Sequence, residues 1–200
     1  MQNRYSKITI KRSVPEAGDV LGCHATCVQM ESNEDLNCHL GHKEKNFIEA
    51  RDSFYMATVS RSGWPYVQHR GGPIGFMRVL DDKTIGFADF AGNRQYISTG
   101  NLRDNNRVAL IFTDYPNRRR LKLFGRVKLI ECNEYELLKK LEIHDYRARV
   151  ERGFIIGVGA YDWNCSQHIT PRYTQAHIDK KMKDLESENQ RLKMELSVPG

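Results

Sequence analysis

Short runs of apolar residues, separated by turn residues, fill the middle of the chain from residue 43 to residue 173. In the run 120–131, apolar residues take every second position, which is the period of a half-buried strand. β-Branched and aromatic residues dominate the other runs, whereas Gly, Pro, Asn and Asp cluster between them. The pattern predicts strands over residues 53–60, 64–68, 76–80, 84–90, 108–113, 120–131 and 154–161.

Strands at such short intervals, with helices few and peripheral, predict a mainly β (α+β) protein with antiparallel strand pairing. A small, split β-barrel satisfies this pattern, and a β-sandwich is the alternative. Helices are predicted over His42–Arg51 and over Asn133–Leu141, where Asn133 is a suitable N-cap. Residues 1–42 show no clear period and are predicted to be irregular.

The final segment, residues 174–197, is rich in Lys, Glu, Leu and Met and contains no Gly or Pro, which is helix composition. One face repeats with alternating spacings of four and three, as in a coiled coil. The a and d positions of this repeat are Met182, Asn189 and Leu196 at a, and Ile178, Leu185 and Leu192 at d. We expect a parallel two-stranded coiled coil between two copies, and a single helix packed on the barrel is the alternative.

Length and composition narrow the class of protein. The 200 residues, of 23.2 kDa, suit one domain with an appendage, and 40% hydrophobic with 28% charged residues is typical of globular proteins. No apolar run reaches the roughly 18 residues of a membrane span, and we expect no secretory signal at the N-terminus. The net charge of +6 is compatible with nucleic acid or with phosphate-bearing small molecules as partners.

The chain has five cysteines, and this odd number without a secretory signal indicates reduced thiols in a cytoplasmic protein. Cys23 and Cys27, followed by Cys38 and His42, are a candidate zinc cluster. Its three-residue gaps are less usual than gaps of two residues. We therefore interpret these residues as unrelated and predict no metal site.

The stretch Gly92–Gln95 follows a predicted strand and leads into a short predicted helix. Free backbone N–H groups and the positive end of the helix dipole attract anions there, and Arg94 adds a charge suited to phosphate. Asn93 and Gln95 are predicted to lie in the first helical turn, with Ser98 and Thr99 as hydroxyl donors one turn later. A helix start capped by Asn93, with a surface arginine, is the alternative.

A second polar cluster ends the strand that begins at residue 64. Gln68, His69 and Arg70 are followed by glycines from Gly71 onward, which would let a ligand approach the backbone closely. His69 is a candidate acid–base group, because the ordinary pKa of histidine lies near neutrality. Polar strand residues before a bulge are the alternative interpretation.

Two further segments carry candidate binding residues. Arg118–Arg120 leads into a strand with a basic face, which would suit phosphates of a nucleic acid or a nucleotide cofactor, unless it is the solvated face of an edge strand. Residues 162–173 lack periodicity, as expected of a loop over a ligand or at a subunit contact. The candidates in this second segment are Trp163, His168 and Arg172, whereas Cys165 is interpreted as an inert thiol.

Taken in this order over residues 43–173, the motifs resemble the FMN-binding split-barrel family typified by pyridoxamine 5'-phosphate oxidase. Residues 64–70 match the strand that carries polar groups to the flavin, and Gly92–Gln95 match the turn that holds the FMN phosphate. Asn105–Leu110 match the strand that follows this turn. Arg119 and Arg120 fall at the position that reaches the flavin from the partner subunit.

The resemblance implies a split β-barrel in an obligate homodimer, with FMN at the subunit interface and NAD(P)H or a small molecule as the reaction partner. It assigns the following cofactor-binding residues: Gln68, His69, Arg70, Gly71, Asp89, Asn93, Arg94, Gln95, Ser98, Arg119, Arg120, Trp163 and Arg172. His69 and His168 are the candidate catalytic residues.

The chain departs from the family pattern in places that concern the substrate. Gln95 stands where the phosphate turn has lysine, Pro73 stands where vitamin B6 oxidases have a basic residue, and their C-terminal Arg-x-His-type motif has no match. We therefore expect an FMN-dependent oxidoreductase of unknown substrate rather than a pyridoxamine 5'-phosphate oxidase. A non-catalytic flavin carrier or sensor and a nucleic-acid-binding barrel using Arg118–Lys122 are the other classes.

Overall fold

The computed structural model describes residues 4–9, 37–143, 146–164 and 166–197. Its strands form a seven-stranded sheet in the order β2-β1-β5-β6-β7-β4-β3. They are β1 (Ser53–Val59), β2 (Pro65–Gly71), β3 (Met77–Asp81), β4 (Thr84–Phe90), β5 (Arg107–Asp114), β6 (Arg119–Ile130) and β7 (Val150–Asn164). Pairing is antiparallel in β1–β2, β1–β5, β3–β4, β4–β7 and β6–β7, which confirms the predicted mainly β fold.

Helices are few beside this sheet, as predicted. In the described ranges they are α1 (Arg4–Thr9), α2 (His42–Glu49), α3 (Ile97–Asp104), α4 (Tyr135–Lys139) and α5 (Gln175–Ser197). α2 is amphipathic and buries Phe47 and Ile48 in the core, whereas its lysines remain exposed. No helix among these has the length and apolar composition of a membrane span.

The sheet curls strongly, so that its inner face encloses the core. Three strands separate β1 from β4 in the sheet order, yet the rings of Phe54 on β1 and Phe87 on β4 lie 5.3 Å apart. Phe76 and Phe112 also contact Phe54, at centroid distances of 5.7 and 5.2 Å. A flat sheet would hold β1 and β4 far apart, because neighbouring strands are spaced by about 4.8 Å. This curvature is that of a split barrel.

The last strand is longer than its apolar pattern predicts. The predicted strand begins at residue 154, but β7 begins at Val150, and Arg152 is paired with Asp89 of β4. The added residues include Glu151 and Arg152, and two consecutive charged residues do not reveal a strand in the hydrophobic pattern. They belong to the sheet because β4 pairs with Val150 and Arg152 on either side of an irregularity in the register.

The predicted helix 133–141 is also different in the structure, where α4 spans only Tyr135–Lys139 and Glu134, not Asn133, precedes its first residue. The Glu134 carboxylate accepts hydrogen bonds from the Lys128 Nζ atom at 2.8 Å and from the Glu131 N–H at 3.3 Å. These bonds stabilise a turn through residues 131–134, so the helix starts later than its N-cap signal suggests.

The described residues divide into two compact units. The first contains the sheet and α1 to α4, and the second contains the turn 114–119 and the segment from Ser166 onward with α5. Within the second unit, the Arg172 guanidinium lies 5.0 Å from the centre of the Tyr115 ring, and the Asp114 carboxylate accepts hydrogen bonds from the Asn117 amide. Side chains 175–196 along α5 are all exposed.

Candidate functional site

A polar cleft of about 290 Å³ opens beside the loop that connects β4 to α3. Strands β2, β4 and β7 form its floor, and the loop 91–96 forms its rim. The residues that line it are Gln68, Arg70, Asp89, Phe90, Gly92, Asn93, Arg94, Gln95, Tyr96, Thr99 and Glu151. Six of the sequence-predicted cofactor residues therefore meet here: Gln68, Arg70, Asp89, Asn93, Arg94 and Gln95.

Strand β2 directs alternate side chains to opposite faces, and this decides which of its polar residues reach the cleft. Gln68 and Arg70 are half-buried and line the cleft, whereas His69 between them is exposed on the other face. The His69 ring lies 5.4 Å from the Tyr55 ring, edge to face. Within one chain, His69 therefore does not share the cleft with Gln68.

The loop before α3 has an unusual backbone. Arg94 and Tyr96 have φ angles of 59° and 51°, in the left-handed region that side chains other than glycine seldom adopt. The Asn93 Oδ1 atom accepts a hydrogen bond from the Gln95 N–H at 3.2 Å, which tightens the turn. The prediction that Asn93, Arg94 and Gln95 form the first helical turn is therefore wrong, because the two left-handed residues delay the helix until Ile97.

Two side-chain hydrogen bonds attach α3 to the sheet. The buried Ser98 hydroxyl donates to the Gln68 Oε1 atom at 2.8 Å, and the Asn101 Nδ2 atom donates to the Thr58 Oγ1 atom at 3.0 Å. Since its carbonyl oxygen is engaged by Ser98, Gln68 can offer its amide N–H groups to a ligand in the cleft. Ser98 itself does not line the cleft, and it orients a residue that does.

A chain of charged side chains runs along the cleft floor. The Arg70 Nη1 atom donates to the Asp89 Oδ1 atom at 2.6 Å, and the Arg152 Nε atom lies 3.5 Å from Asp89 Oδ2. The Arg152 Nη2 atom contacts the Glu151 carboxylate at 3.3 Å, and the Tyr96 hydroxyl donates to the same carboxylate at 3.1 Å. This network joins β2, β4, β7 and the loop before α3.

Burial sets the electrostatics of this network. Desolvation raises the pKa of the Asp89 carboxyl, against the opposing effect of the Arg70 and Arg152 charges. Desolvation likewise lowers the pKa of the Arg70 guanidinium, which also lies 5.2 Å from the centre of the Phe154 ring. The Nε atoms of Arg70 and Arg152 are buried and donate no hydrogen bond in the described structure. On the floor of the cleft, Arg70 and Arg152 therefore each keep one N–H group that has no acceptor among the described residues.

Arg94 differs from the other two arginines at the cleft. Arg70 and Arg152 are held by Asp89, whereas the exposed Arg94 forms no ion pair with any described residue. Around the cleft, three guanidinium groups face the two carboxylates of Asp89 and Glu151. The site therefore has a positive excess, located at Arg94 on the rim.

Residues 40–157 match the family model for pyridoxamine 5'-phosphate oxidase. The chain belongs to the pyridoxamine 5'-phosphate oxidase family. This confirms the resemblance of the motifs, and it supports flavin, as FMN, as the cofactor of the fold. No curated protein matches the chain.

Two solved structures of HupZ share the fold of this chain. HupZ from Group A Streptococcus is 23% identical, with 67% of this chain and 99% of that chain aligned at a TM-score of 0.50. A histidine-to-alanine variant of HupZ is 23% identical, with 62% and 98% aligned and a TM-score of 0.50. An FMN-binding protein from Syntrophomonas wolfei is 15% identical, with 60% and 83% aligned and a TM-score of 0.42.

Several of the predicted cofactor residues do not line the cleft. The Trp163 Nε1 atom donates to the Glu44 Oε1 atom at 2.8 Å, and its ring packs on Phe47 of α2. Arg119 and Arg120 begin β6, where Arg119 is exposed and Arg120 half-buried. Residues of the second unit, His168 and Arg172, are both exposed.

The glycines after β2 serve the core of the barrel. Gly71 ends β2, and a Cβ atom there would lie 3.0 Å from the His69 ring. At Gly72, a Cβ atom would lie 2.8 Å from the Phe76 ring, which is part of the aromatic core. A side chain at position 72 would therefore clash with the Phe76 ring.

Thr99, predicted as a hydroxyl donor, lines the cleft, whereas three lining residues were not predicted from the sequence: Phe90, Tyr96 and Glu151. Arg152, which supports Asp89, was not predicted either. No hydrophobic period marks Glu151 and Arg152, because two consecutive charged residues interrupt the pattern before the apolar part of β7. Cys23 and Cys27 of the zinc-type cluster lie outside the described residues, and no group of three or more metal-ligating side chains occurs in the described ranges.

Proposed function

We propose that the cleft binds FMN and that Arg94 is its principal phosphate ligand. The observation that carries this proposal is the position of Arg94, which adds a charge that no carboxylate of the described residues engages to a cleft otherwise balanced by internal ion pairs. A dianionic phosphate gains most from a guanidinium that no carboxylate has already engaged. The adjacent side chains of Asn93 and Gln95 add polar groups at the same rim.

Further features of the cleft fit a phosphorylated flavin. α3 begins directly after the rim, so its first backbone N–H groups and its dipole favour an anion near Ile97. The left-handed residues Arg94 and Tyr96 hold the loop in a conformation that an ordinary helix start would not give. Gln68, fixed by Ser98, would present an amide donor toward the cofactor.

We further propose that the protein is an FMN-dependent oxidoreductase that acts as a homodimer, with the flavin between the subunits. When bound, FMN supplies hydride and electron transfer, and this chain supplies binding, orientation and electrostatics. In such a dimer, each subunit would contribute four residues to the cleft of the other subunit: His69, Gly71, Arg119 and Arg120. The proposed residues near the substrate are Trp163, His168 and Arg172. The candidate acids or bases are His69 and His168.

A visible absorption spectrum of the purified protein tests the cofactor. A flavin spectrum, with FMN identified after release, is expected, and a colourless protein that binds nucleic acid would overturn it. NADH or NADPH should then bleach the flavin, and oxygen should restore it. A flavin that neither nucleotide nor any added reductant substrate bleaches would favour the carrier or sensor instead.

Vitamin B6 phosphates are not expected to be the substrates. Gln95 lines the cleft where a second cation would be needed, and Pro73 follows β2 where a basic residue would be needed. Incubation of flavin-loaded protein with pyridoxine or pyridoxamine 5'-phosphate should therefore give no sustained formation of pyridoxal 5'-phosphate. Robust turnover would contradict this.

We also propose a cytoplasmic location. The exposed Cys132 is a thiol that donates a hydrogen bond to the Glu151 carbonyl oxygen at 3.0 Å, and an exposed thiol is typical of a reducing compartment. Fractionation of cells that express the intact protein tests this location.

A further inference from the structure

The helix α5 carries an exposed apolar face along its length. The exposed fractions of its seam residues are 47% for Ile178, 51% for Met182, 55% for Leu185, 45% for Leu192 and 87% for Leu196. Apolar side chains on the surface of a helix at heptad spacing are the contact face of a coiled coil. Such a face is stable in water only when a partner covers it.

We propose that the partner is α5 of a second copy of this chain, arranged parallel and in register. In that arrangement, Asn189 at position a lies opposite the Asn189 of the partner subunit, where the two amides can hydrogen-bond to each other. In an antiparallel pair, position a packs against position d, so Asn189 would face an apolar residue such as Leu185 and leave its amide without a partner. The polar residue at the seam thus favours the parallel pair.

The charges beside the seam favour the same arrangement. Position g holds Lys181, Glu188 and Glu195, and position e holds Asp179, Glu186 and Lys193. A parallel pair places each g residue beside the following e residue of its partner. Lys181 then meets the partner subunit's Glu186, and Glu188 meets the partner subunit's Lys193. With the two-fold axis, these contacts give attractive pairs on both sides of the seam.

An antiparallel pair keeps attractive contacts of Lys181 with the partner subunit's Glu195 and of Asp179 with the partner subunit's Lys193, but it adds like-charge contacts. It pairs g with g and e with e, so Glu188 would face the Glu188 of the partner subunit. Glu186 would likewise face the Glu186 of the partner subunit. Like charges at these positions disfavour association. The parallel pair has as many attractive contacts and none of these like-charge contacts, so charge complementarity favours a second copy in the parallel orientation as the occupant of this face.

A cysteine at a seam position reports orientation directly in the full-length protein. In Ile178→Cys, a parallel pair brings the two introduced thiols together, so a glutathione buffer should yield a Cys–Cys disulfide between positions 178. Mass spectrometry of the linked peptides distinguishes it from pairs of native cysteines. In an antiparallel pair, position 178 would lie opposite Leu196, about 27 Å along the helix from its counterpart. Absence of the 178–178 link would overturn the proposal.

Charge reversals then test whether the helices, rather than the rest of the protein, make the contact. Adding Lys181→Glu and Lys193→Glu turns every g–e contact repulsive and should lower the yield of the link about tenfold. The matched control, Lys180→Glu with Lys183→Glu, changes the net charge equally on the outer face and should leave the yield unchanged. Adding Glu186→Lys and Glu188→Lys to the first pair restores opposite charges and should restore the yield.

Equal yields in all these variants would overturn the proposal, because the thiols would then meet through contacts outside the seam. These experiments test the coiled coil independently of the proposed flavin site. None of the substituted residues lines the cleft, so flavin absorbance per chain should be the same in every variant. If the parent protein binds no flavin, the proposed cofactor is wrong, whereas the 178–178 link still tests the coiled coil.

Discussion

The guanidinium of Arg70 and the carboxylate of Asp89 are 2.6 Å apart, although four strands separate β2 from β4 in the sheet order. The contact is possible only because the sheet curls until its outer strands approach each other. It forms the floor of the cleft and joins the two sides of the split barrel. The side chains are 13% and 9% exposed, so the pair is shielded from water.

Replacing Asp89 by Asn should therefore destabilise the fold. It leaves the buried Arg70 and Arg152 charges without their shared carboxylate, and breaking a buried pair in this way costs about 3–5 kcal/mol of unfolding free energy. Urea unfolding measures the change. Asp82→Asn is the control, because the pair of Asp82 with His39 is exposed, and its removal should change stability little.

A compensating variant separates lost charge balance from general damage. Adding Arg70→Met to Asp89→Asn removes one of the two stranded charges and should recover part of the lost stability. If the double variant is no more stable than Asp89→Asn, the Arg70–Asp89 pair does not carry the effect.

Arg94→Ala should weaken FMN binding without unfolding the protein. Loss of a charge-assisted phosphate contact costs about 1.5–3 kcal/mol, which raises the dissociation constant by a factor of about 10 to 150. Fluorescence titration of apoprotein with FMN measures it. Arg103→Ala, on the exposed face of α3 away from the cleft, should leave the constant unchanged. An unaltered titration in Arg94→Ala would remove this loop as the phosphate site.

Ser98 should act on FMN binding through Gln68. Ser98→Ala removes the hydrogen bond that orients the Gln68 amide, and both Ser98→Ala and Gln68→Ala should weaken binding. If Ser98 works by positioning, the double variant binds FMN no more weakly than Gln68→Ala alone. Additive losses in the titration would instead mean that Ser98 contributes independently of Gln68.

Tyr161 should make the fold sensitive to alkaline pH. Burial, together with the nearby Glu44 and Cys38, raises the pKa of its hydroxyl to about 12 from an ordinary value of about 10. Above pH 10 the unfolded chain loses this proton while the folded chain keeps it, so unfolding free energy falls as pH rises toward 12. The contribution is fully present below pH 10.

Tyr161→Phe removes the hydroxyl that titrates, and it tests whether deprotonation of this hydroxyl lowers the unfolding free energy at high pH. Denaturant unfolding at pH 9, 10 and 11 should show a steeper loss of stability for the parent protein than for the variant. The variant also loses the hydrogen bond from the hydroxyl to the His39 carbonyl, so it starts from a lower stability at pH 9. Parallel pH profiles would show that the hydroxyl has its ordinary pKa.

The alternation of apolar residues predicted where each strand lies and the buried face of most of β6, although β7 is longer than predicted. In β6, Leu121, Leu123 and Val127 are buried as their spacing predicts, because a strand directs every second side chain to the same side. The order of the polar motifs was also sufficient to indicate the family. Residues such as Asn93 and Arg94 are adjacent in sequence, so their presence at one loop needs no knowledge of the tertiary fold.

Only the tertiary structure brings together the charged residues on the floor of the cleft. Glu151 and Arg152 are more than fifty residues from Asp89 along the chain, and their charges look like solvent-exposed surface in a linear pattern. Pairing of β4 with β7 brings them beside Asp89, and the curl of the sheet brings Arg70 from the far strand. Local sequence specifies which way a side chain points from its strand, but which charges it meets depends on the curvature of the whole sheet.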